Sequence, residues 1–101
     1  MSLDLVSPKE VLEYIRQGKT LIVDLREREE YEKRRIPGAV SVPYDSFDEH
    51  ARVFGHYEII ILCCERGAAS LLAGRRLSEK GYRVLSLGGG MEAWRGPTIS
   101  G

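Results

Sequence analysis

Apolar and polar positions divide the chain into short apolar runs and longer segments of helical periodicity. Mainly apolar runs at 21–25, 40–42, 59–63 and 84–87 predict β-strands. The run at 59–63 (Ile-Ile-Ile-Leu-Cys) is continuous and rich in β-branched residues, which is typical of a central parallel strand covered on both faces. Because helix-like segments separate the strands, the pattern favours an α/β protein with a parallel sheet.

The first helix is marked at both ends by capping residues. Ser7 is a suitable N-cap, Pro8 fits the first helical position, and Glu10 completes a capping box. Gly18 is suited to end this helix. The highly charged stretch 27–35 predicts a short solvent-exposed helix, and residues 45–53 predict another.

A further helix is predicted after Gly67. Apolar residues recur there with a period of 3.6, which would place four of them on one face of the helix. These four are Ala69, Leu72, Ala73 and Leu77. Gly81 would end the helix.

Two short segments read as turns. Residues 36–39 (Ile-Pro-Gly-Ala) combine Pro and Gly, which both interrupt regular structure. The glycines at 88–90 lack the Lys and Ser/Thr that a phosphate-binding loop needs, so they also predict a turn. A short helix with Met91 and Trp94 should follow, and Trp94 is expected to fill the core.

Composition and charge narrow the possible partners. The chain has 101 residues, which suits a single domain over 1–101. Fifteen basic residues balance fifteen acidic ones, so there is no electrostatic argument for nucleic acid or an anionic membrane as partner. No apolar run approaches the roughly 20 residues of a membrane span. The first eight residues lack the features of a signal peptide, so we expect a cytoplasmic location.

The two cysteines, Cys63 and Cys64, are adjacent. Neighbouring cysteines rarely form a disulfide, because the local backbone geometry strains it. Their spacing does not match zinc sites, and His50 and His56 are not placed to complete one, so we expect no metal. Cys63 falls within the predicted strand and is expected to be a buried core residue.

Cys64 has the position of a nucleophile. It lies between the carboxyl end of the most apolar strand and the amino end of the following helix, which is where ligands bind in open α/β sheets. A helix amino terminus presents unpaired N–H groups that favour anions, including a thiolate. Gly67 and the small Ala68 and Ala69 allow the backbone to curl around the sulfur. Since these alanines offer no side-chain hydrogen bonds, we expect the backbone alone to hold the sulfur.

Four motifs, in this order, resemble the rhodanese family. They are Asp-x-Arg at 24–26, Arg-Arg-Ile-Pro-Gly-Ala at 34–39, Cys-x-x-Gly-x-x at 64–69 and Gly-Gly-x-x-x-Trp at 89–94. The family usually has Gly-His where this chain has Arg34-Arg35. The resemblance implies a rhodanese-like α/β fold, a five-stranded parallel sheet with helices on both faces.

The resemblance also implies a sulfurtransferase that needs no cofactor. Cys64 would take the outer sulfur of a small donor such as thiosulfate and hold it as a persulfide. An acceptor, either cyanide or a small or protein thiol, would then remove that sulfur. The implied persulfide-binding residues, acting through backbone N–H groups, are Glu65, Arg66, Gly67, Ala68, Ala69 and Ser70.

The resemblance leaves the role of Arg26 open between binding of the anionic donor and an ion pair with the acidic stretch 27–32. Asp24 is expected to hold loops together through hydrogen bonds. The charges of Glu65 and Arg66 in the cysteine loop roughly cancel. The side chains of the loop therefore offer no net positive charge to an anionic donor, so the natural donor can differ from thiosulfate.

Two other functions compete with this one. A phosphatase or arsenate reductase of related fold needs an arginine that closes the cysteine loop. Ala69 and Ser70 occupy that place, and Arg75 and Arg76 lie too far along the helix. A catalytically silent rhodanese-like module for binding or regulation is the other alternative, and the presence of Cys64 favours the enzyme.

Overall fold

The computed structural model describes residues 2–101, apart from the side chains at positions 2, 48 and 50–53. Five strands form one parallel sheet with the order β1-β5-β4-β2-β3. The strands are β1 (Ser2–Val6), β2 (Thr20–Asp24), β3 (Val40–Ser41), β4 (Ile59–Cys63) and β5 (Arg83–Leu87). The connecting elements are α1 (Pro8–Gln17), α2 (Arg28–Lys33), a 3₁₀ segment (Tyr44–His56), α3 (Ala68–Glu79) and α4 (Gly90–Ala93). The predicted α/β class and the five-stranded parallel sheet are confirmed.

Strand β4 lies at the centre of the sheet, between β2 and β5, as its continuous apolar run predicts. Its side chains alternate between the two faces. Ile60 and Leu62 pack on one face with α3 and the 3₁₀ segment, while Ile61 packs on the other with α1 and α4. Helices therefore cover both faces of the sheet.

Strand β1 is not revealed by the apolar pattern. It lies at one edge of the sheet, paired in parallel with β5 so that Leu3 is opposite Val84. Leu5 in this strand is 65% exposed, because an edge strand is covered less completely than a central one. This edge strand therefore lacks the continuous buried run that identifies β4.

The capping signals of α1 are confirmed. The Ser7 hydroxyl accepts a hydrogen bond from the Glu10 amide at 3.2 Å, and the Glu10 carboxylate accepts one from the Ser7 amide at 2.9 Å. Gly18 follows the helix with a φ of 75°, a conformation that favours glycine. The turn at 36–39 also forms, with the Ala39 amide donating to the Ile36 carbonyl at 3.0 Å.

The predicted apolar face of α3 is partly wrong. Leu72 is 56% exposed, and the buried face contains Ser70 and Gly74 in its place. Gly74 lies there because α3 packs closely on β1: a Cβ at this position would be 2.7 Å from Leu3 Cδ1. A pattern of apolar residues alone cannot detect a buried serine or a glycine that allows two elements to pack closely.

The helix predicted at 45–53 is a 3₁₀ segment rather than an α-helix. Hydrogen bonds between residues three apart occur at both ends, from Ser46 to Pro43 and from Tyr57 to Phe54. Phe47 and Phe54 are fully buried in the α3 side of the core and anchor the segment.

Candidate active site

Cys64 lies immediately after β4 and four residues before α3, with 5% of its surface exposed. The preceding Cys63 faces the opposite side of the sheet and is fully buried. Burial, and secondly the negative charge of Asp24, raise the pKa of Cys63 well above its ordinary value. Cys63 is thus held in its protonated form.

The Cys64 sulfur accepts hydrogen bonds from two backbone amides. The Gly67 N–H donates to Cys64 Sγ at 3.0 Å, and the Ser70 N–H donates to it at 3.4 Å. Gly67 is the N-cap of α3, with a φ of 105° that favours glycine. The sulfur therefore sits at the amino terminus of a helix, where N–H groups stabilise negative charge.

A serine pair lies behind the sulfur. The Ser70 hydroxyl donates to the Gly67 carbonyl at 3.0 Å, lies 2.6 Å from the Ser86 hydroxyl, and is 3.6 Å from Cys64 Sγ. Both serines are fully buried. Besides the two backbone N–H groups, the Ser70 hydroxyl thus lies within reach of the sulfur, as the acceptor of a hydrogen bond from the Cys64 thiol. The signal for Ser86 was a polar residue in an otherwise apolar strand.

The amino end of α4 holds the Cys64 loop in place. The Met91 N–H donates to the Cys64 carbonyl at 2.7 Å, and the Glu92 N–H donates to the Glu65 carbonyl at 2.9 Å. Gly90 has a φ of 63°, and a Cβ there would lie 2.5 Å from both carbonyl oxygens. The glycine turn at 88–90 therefore supports the loop, a role that the sequence did not reveal.

Arg26 is part of a buried ion pair with Asp24. Its guanidinium binds the carboxylate through Nε at 3.0 Å and Nη2 at 2.8 Å, and the Arg26 amide also donates to this carboxylate. Burial lowers the pKa of Arg26, but the hydrogen bond and charge of Asp24 outweigh it and raise the pKa overall, so Arg26 stays charged. The expected alternative, an ion pair with the stretch 27–32, is not among the contacts of the described residues. Arg26 Nη1 instead lies 3.7 Å from the Glu65 carboxylate.

Arg34 links this ion pair to α4. Arg26 Nη2 donates to the Arg34 carbonyl, and Arg34 Nη2 donates to the carbonyls of Met91 at 2.9 Å and Trp94 at 3.1 Å. Trp94 itself is 2% exposed and fills the core as expected. The first of the two arginines that replace the usual Gly-His therefore supports the helix that in turn holds the Cys64 loop.

A cavity of about 500 Å³ opens over the sulfur; we call it the Cys64 cavity. Besides Cys64, it is lined by Leu25, Arg26, Glu27, Glu30, Glu65 and Ala69.

Two of the predicted site residues neither line the Cys64 cavity nor hydrogen-bond to the sulfur. The Arg66 side chain pairs with Glu92 at 3.2 Å and lines a separate depression beside Arg95. Ala68 is exposed to solvent. The remaining predicted residues either line the cavity or, as Gly67 and Ser70 do, contact the sulfur directly.

No group of three or more His, Cys, Asp or Glu residues within the described part of the chain could hold a metal ion. Among the described residues there is also no helix of the length and hydrophobicity needed to cross a membrane.

Comparison with known proteins assigns the family. The model of the rhodanese-like domain matches residues 7–97, so this chain belongs to the rhodanese-like domain family. A solved rhodanese-like domain protein from Staphylococcus aureus superposes with a TM-score of 0.86 at 26% identity. The likeness covers 97% of this chain and 98% of that protein, so the two share the fold over nearly their whole length.

Two curated relatives have longer chains. The putative sulfur carrier protein YrkF of Bacillus subtilis is 36% identical over 78 residues, which are 76% of this chain and 42% of that protein. The tRNA sulfurtransferase of Desulfurococcus amylolyticus is 35% identical over 78 residues, which are 77% of this chain and 15% of that protein. This chain therefore spans less than half the length of either relative.

Proposed function

We propose that this protein is a sulfurtransferase that carries sulfane sulfur as a persulfide on Cys64. The observation behind the proposal is the environment of the sulfur, which faces an open cavity while two backbone N–H groups donate to it. The names of the two curated relatives, a sulfur carrier and a sulfurtransferase, support the same chemistry.

In the first half of the reaction, the Cys64 thiolate attacks the outer sulfur of a donor such as thiosulfate. The sulfur–sulfur bond of the donor breaks, sulfite leaves with the electron pair, and a new sulfur–sulfur bond forms on Cys64. In the second half, a thiolate or cyanide attacks the outer sulfur and Cys64 leaves as a thiolate. The N–H groups of Gly67 and Ser70 stabilise the negative charge on Cys64 at both ends of the cycle.

The loop from Glu65 to Ser70 is the proposed cradle for the outer sulfur. The carbonyls of Cys64 and Glu65 already accept hydrogen bonds from the Met91 and Glu92 N–H groups at the amino end of α4. Among the backbone groups of the loop, the N–H groups are therefore the ones suited to an anionic persulfide. Arg26, which lines the cavity, is the proposed contact for an anionic donor.

The test is the intact mass of the protein after incubation with thiosulfate, mercaptopyruvate or a small-molecule persulfide. We expect a gain of one sulfur atom that a thiol reverses, that Cys64→Ala abolishes, and that Cys63→Ala retains. Equal loss in both variants, with the fold intact by circular dichroism, would contradict the assignment to Cys64. No adduct from any donor would favour a silent rhodanese-like binding module.

A further inference from the structure

The mouth of the Cys64 cavity is acidic. Glu27 and Glu30, at the start of α2, line it on one side, and Glu65 of the cysteine loop lines it as well. All three are exposed, and the Glu65 side chain retains 57% of its accessible surface. Arg26 is the one basic residue among those that line the cavity.

The basic groups paired with these carboxylates offset only part of their negative charge. Arg26 is bound through two nitrogens by Asp24 and is shared with Glu65, while Lys33 lies 3.3 Å from Glu30. Among the side chains that line the cavity and their ion-pair partners, four carboxylates (those of Asp24, Glu27, Glu30 and Glu65) against two basic groups (Arg26 and Lys33) leave two formal negative charges. Since the Arg66 side chain pairs with Glu92 outside the cavity, it does not offset them.

On the α3 side, the residue that lines the cavity is apolar. Ala69 lines the cavity, and Leu72, one helical turn further along α3, is 56% exposed. An acidic side and an apolar side thus flank the same nucleophile, which suits an amphipathic chain segment better than a small dianion.

We propose that the sulfur partner of Cys64 is a protein cysteine flanked by lysine or arginine side chains. The charge of the mouth selects this occupant, because cations that flank the cysteine pair with Glu27 and Glu30. A dianion such as thiosulfate approaches against two negative charges. This inference rests on the proposed function, because it names the partner of the same site.

Sulfur transfer to such a partner needs no external oxidant. The partner thiolate attacks the outer sulfur of the Cys64 persulfide, that sulfur–sulfur bond breaks, and Cys64 leaves as a thiolate. The partner then carries the persulfide. Transfer in the opposite direction follows the same steps in reverse.

The docking preference can be measured without any persulfide. Peptides of equal length with lysine–cysteine–lysine or glutamate–cysteine–glutamate centres are prepared as disulfides with 2-thiopyridine. The Cys64 thiolate attacks the peptide sulfur, the bond to the pyridyl sulfur breaks, and pyridine-2-thione leaves and is read by its absorbance. At low ionic strength we expect the basic peptide to react about 10-fold faster than the acidic one, and this ratio to shrink at high salt.

The variants assign that preference to the mouth. Glu27→Gln combined with Glu30→Gln should reduce the ratio to about 2 or less. Glu29→Gln on the same helix is the matched control, since Glu29 is exposed but does not line the cavity, and it should leave the ratio near its wild-type value. The same double variant should accept sulfur from thiosulfate faster than the wild type.

Two results would overturn the inference: equal rates for the two peptides in the wild type at low salt, or an equal effect of Glu29→Gln and the double variant. Failure of the proposed function gives a different result, because Cys64 would then form the peptide disulfide but take no sulfur from any donor. The two failures are therefore distinguishable.

Discussion

Gly90→Ala should displace the Cys64 loop. The new Cβ would lie 2.5 Å from the carbonyl oxygens of both Cys64 and Glu65, whereas contacts of real Cβ atoms below 3.0 Å essentially never occur. These oxygens belong to the backbone, so no side-chain rotation relieves the overlap and the loop must move by at least about 0.5 Å. That movement lengthens the hydrogen bonds from Met91 and Glu92, now 2.7 and 2.9 Å.

The magnitude follows from two contributions. Alanine at a φ of 63° costs about 1 kcal/mol once its lower entropy in the unfolded chain is counted. Weakening two backbone hydrogen bonds adds about 2 kcal/mol. Gly38→Ala is the matched control, because Gly38 has a φ of 88° but a Cβ at this position would meet nothing within 4 Å. We expect about 3 kcal/mol of destabilisation for Gly90→Ala and about 1 kcal/mol for Gly38→Ala.

Urea denaturation gives the free energies of unfolding of both variants. The rate of persulfide formation from thiosulfate shows whether the Cys64 loop keeps its position. We expect Gly90→Ala to lower this rate at least about 10-fold under conditions where the protein remains folded, since misplaced groups commonly cost that much or more. Gly38→Ala should leave it unchanged. Equal stability and equal rates of sulfur transfer in the two variants would refute this role of Gly90.

Two further predictions concern stability. Arg34→Ala should destabilise the protein by about 1–2 kcal/mol in urea denaturation, because it removes two charge-assisted hydrogen bonds to the carbonyls at the end of α4. Arg16→Ala, which removes a well-exposed ion pair, should cost less than about 0.5 kcal/mol, and equal effects of the two would contradict this role of Arg34. The raised pKa of Cys63 predicts that stability depends on pH. The contribution of Cys63 to the free energy of unfolding is fully present below the thiol pKa of the unfolded chain, about 8.5. This contribution is lost as pH rises above that value, because the unfolded chain then releases a proton that the folded chain retains. Unfolding free energies of wild type and Cys63→Ala between pH 7 and about 10 should therefore converge as pH rises, and parallel curves would show that Cys63 titrates alike in both states.

Local features of the structure could be predicted from the sequence. The capping box of α1, the turn at 36–39 and the bounds of β4 each depend on residues close together in the chain. The place of Cys64 follows from the same short-range information, since the end of an apolar strand and the start of a periodic helix are both visible in the sequence. Propensity, capping and periodicity act over a few residues, so a single sequence is enough to detect them.

Contacts between distant segments could not be predicted in this way. Ser70 and Ser86 are sixteen residues apart and meet only because α3 packs over β5. The sequence leaves open whether Arg26 binds an anionic donor or pairs with the glutamates that follow it. In the structure its side chain binds Asp24, because both side chains are buried at the same end of β2.

The sequence by itself determined the order of β2 to β5 with the helical segments between them, and the placement of a cysteine at a helix amino terminus, because these follow from local chemistry. Only the tertiary structure decided that Gly90 must lack a side chain, that Arg34 supports α4, and that three glutamates surround the mouth of the Cys64 cavity. The balance of fifteen basic and fifteen acidic residues concealed this acidic mouth. Net charge sums over the whole chain, whereas the field at a nucleophile depends on which charges the fold brings near it and which of those are already paired.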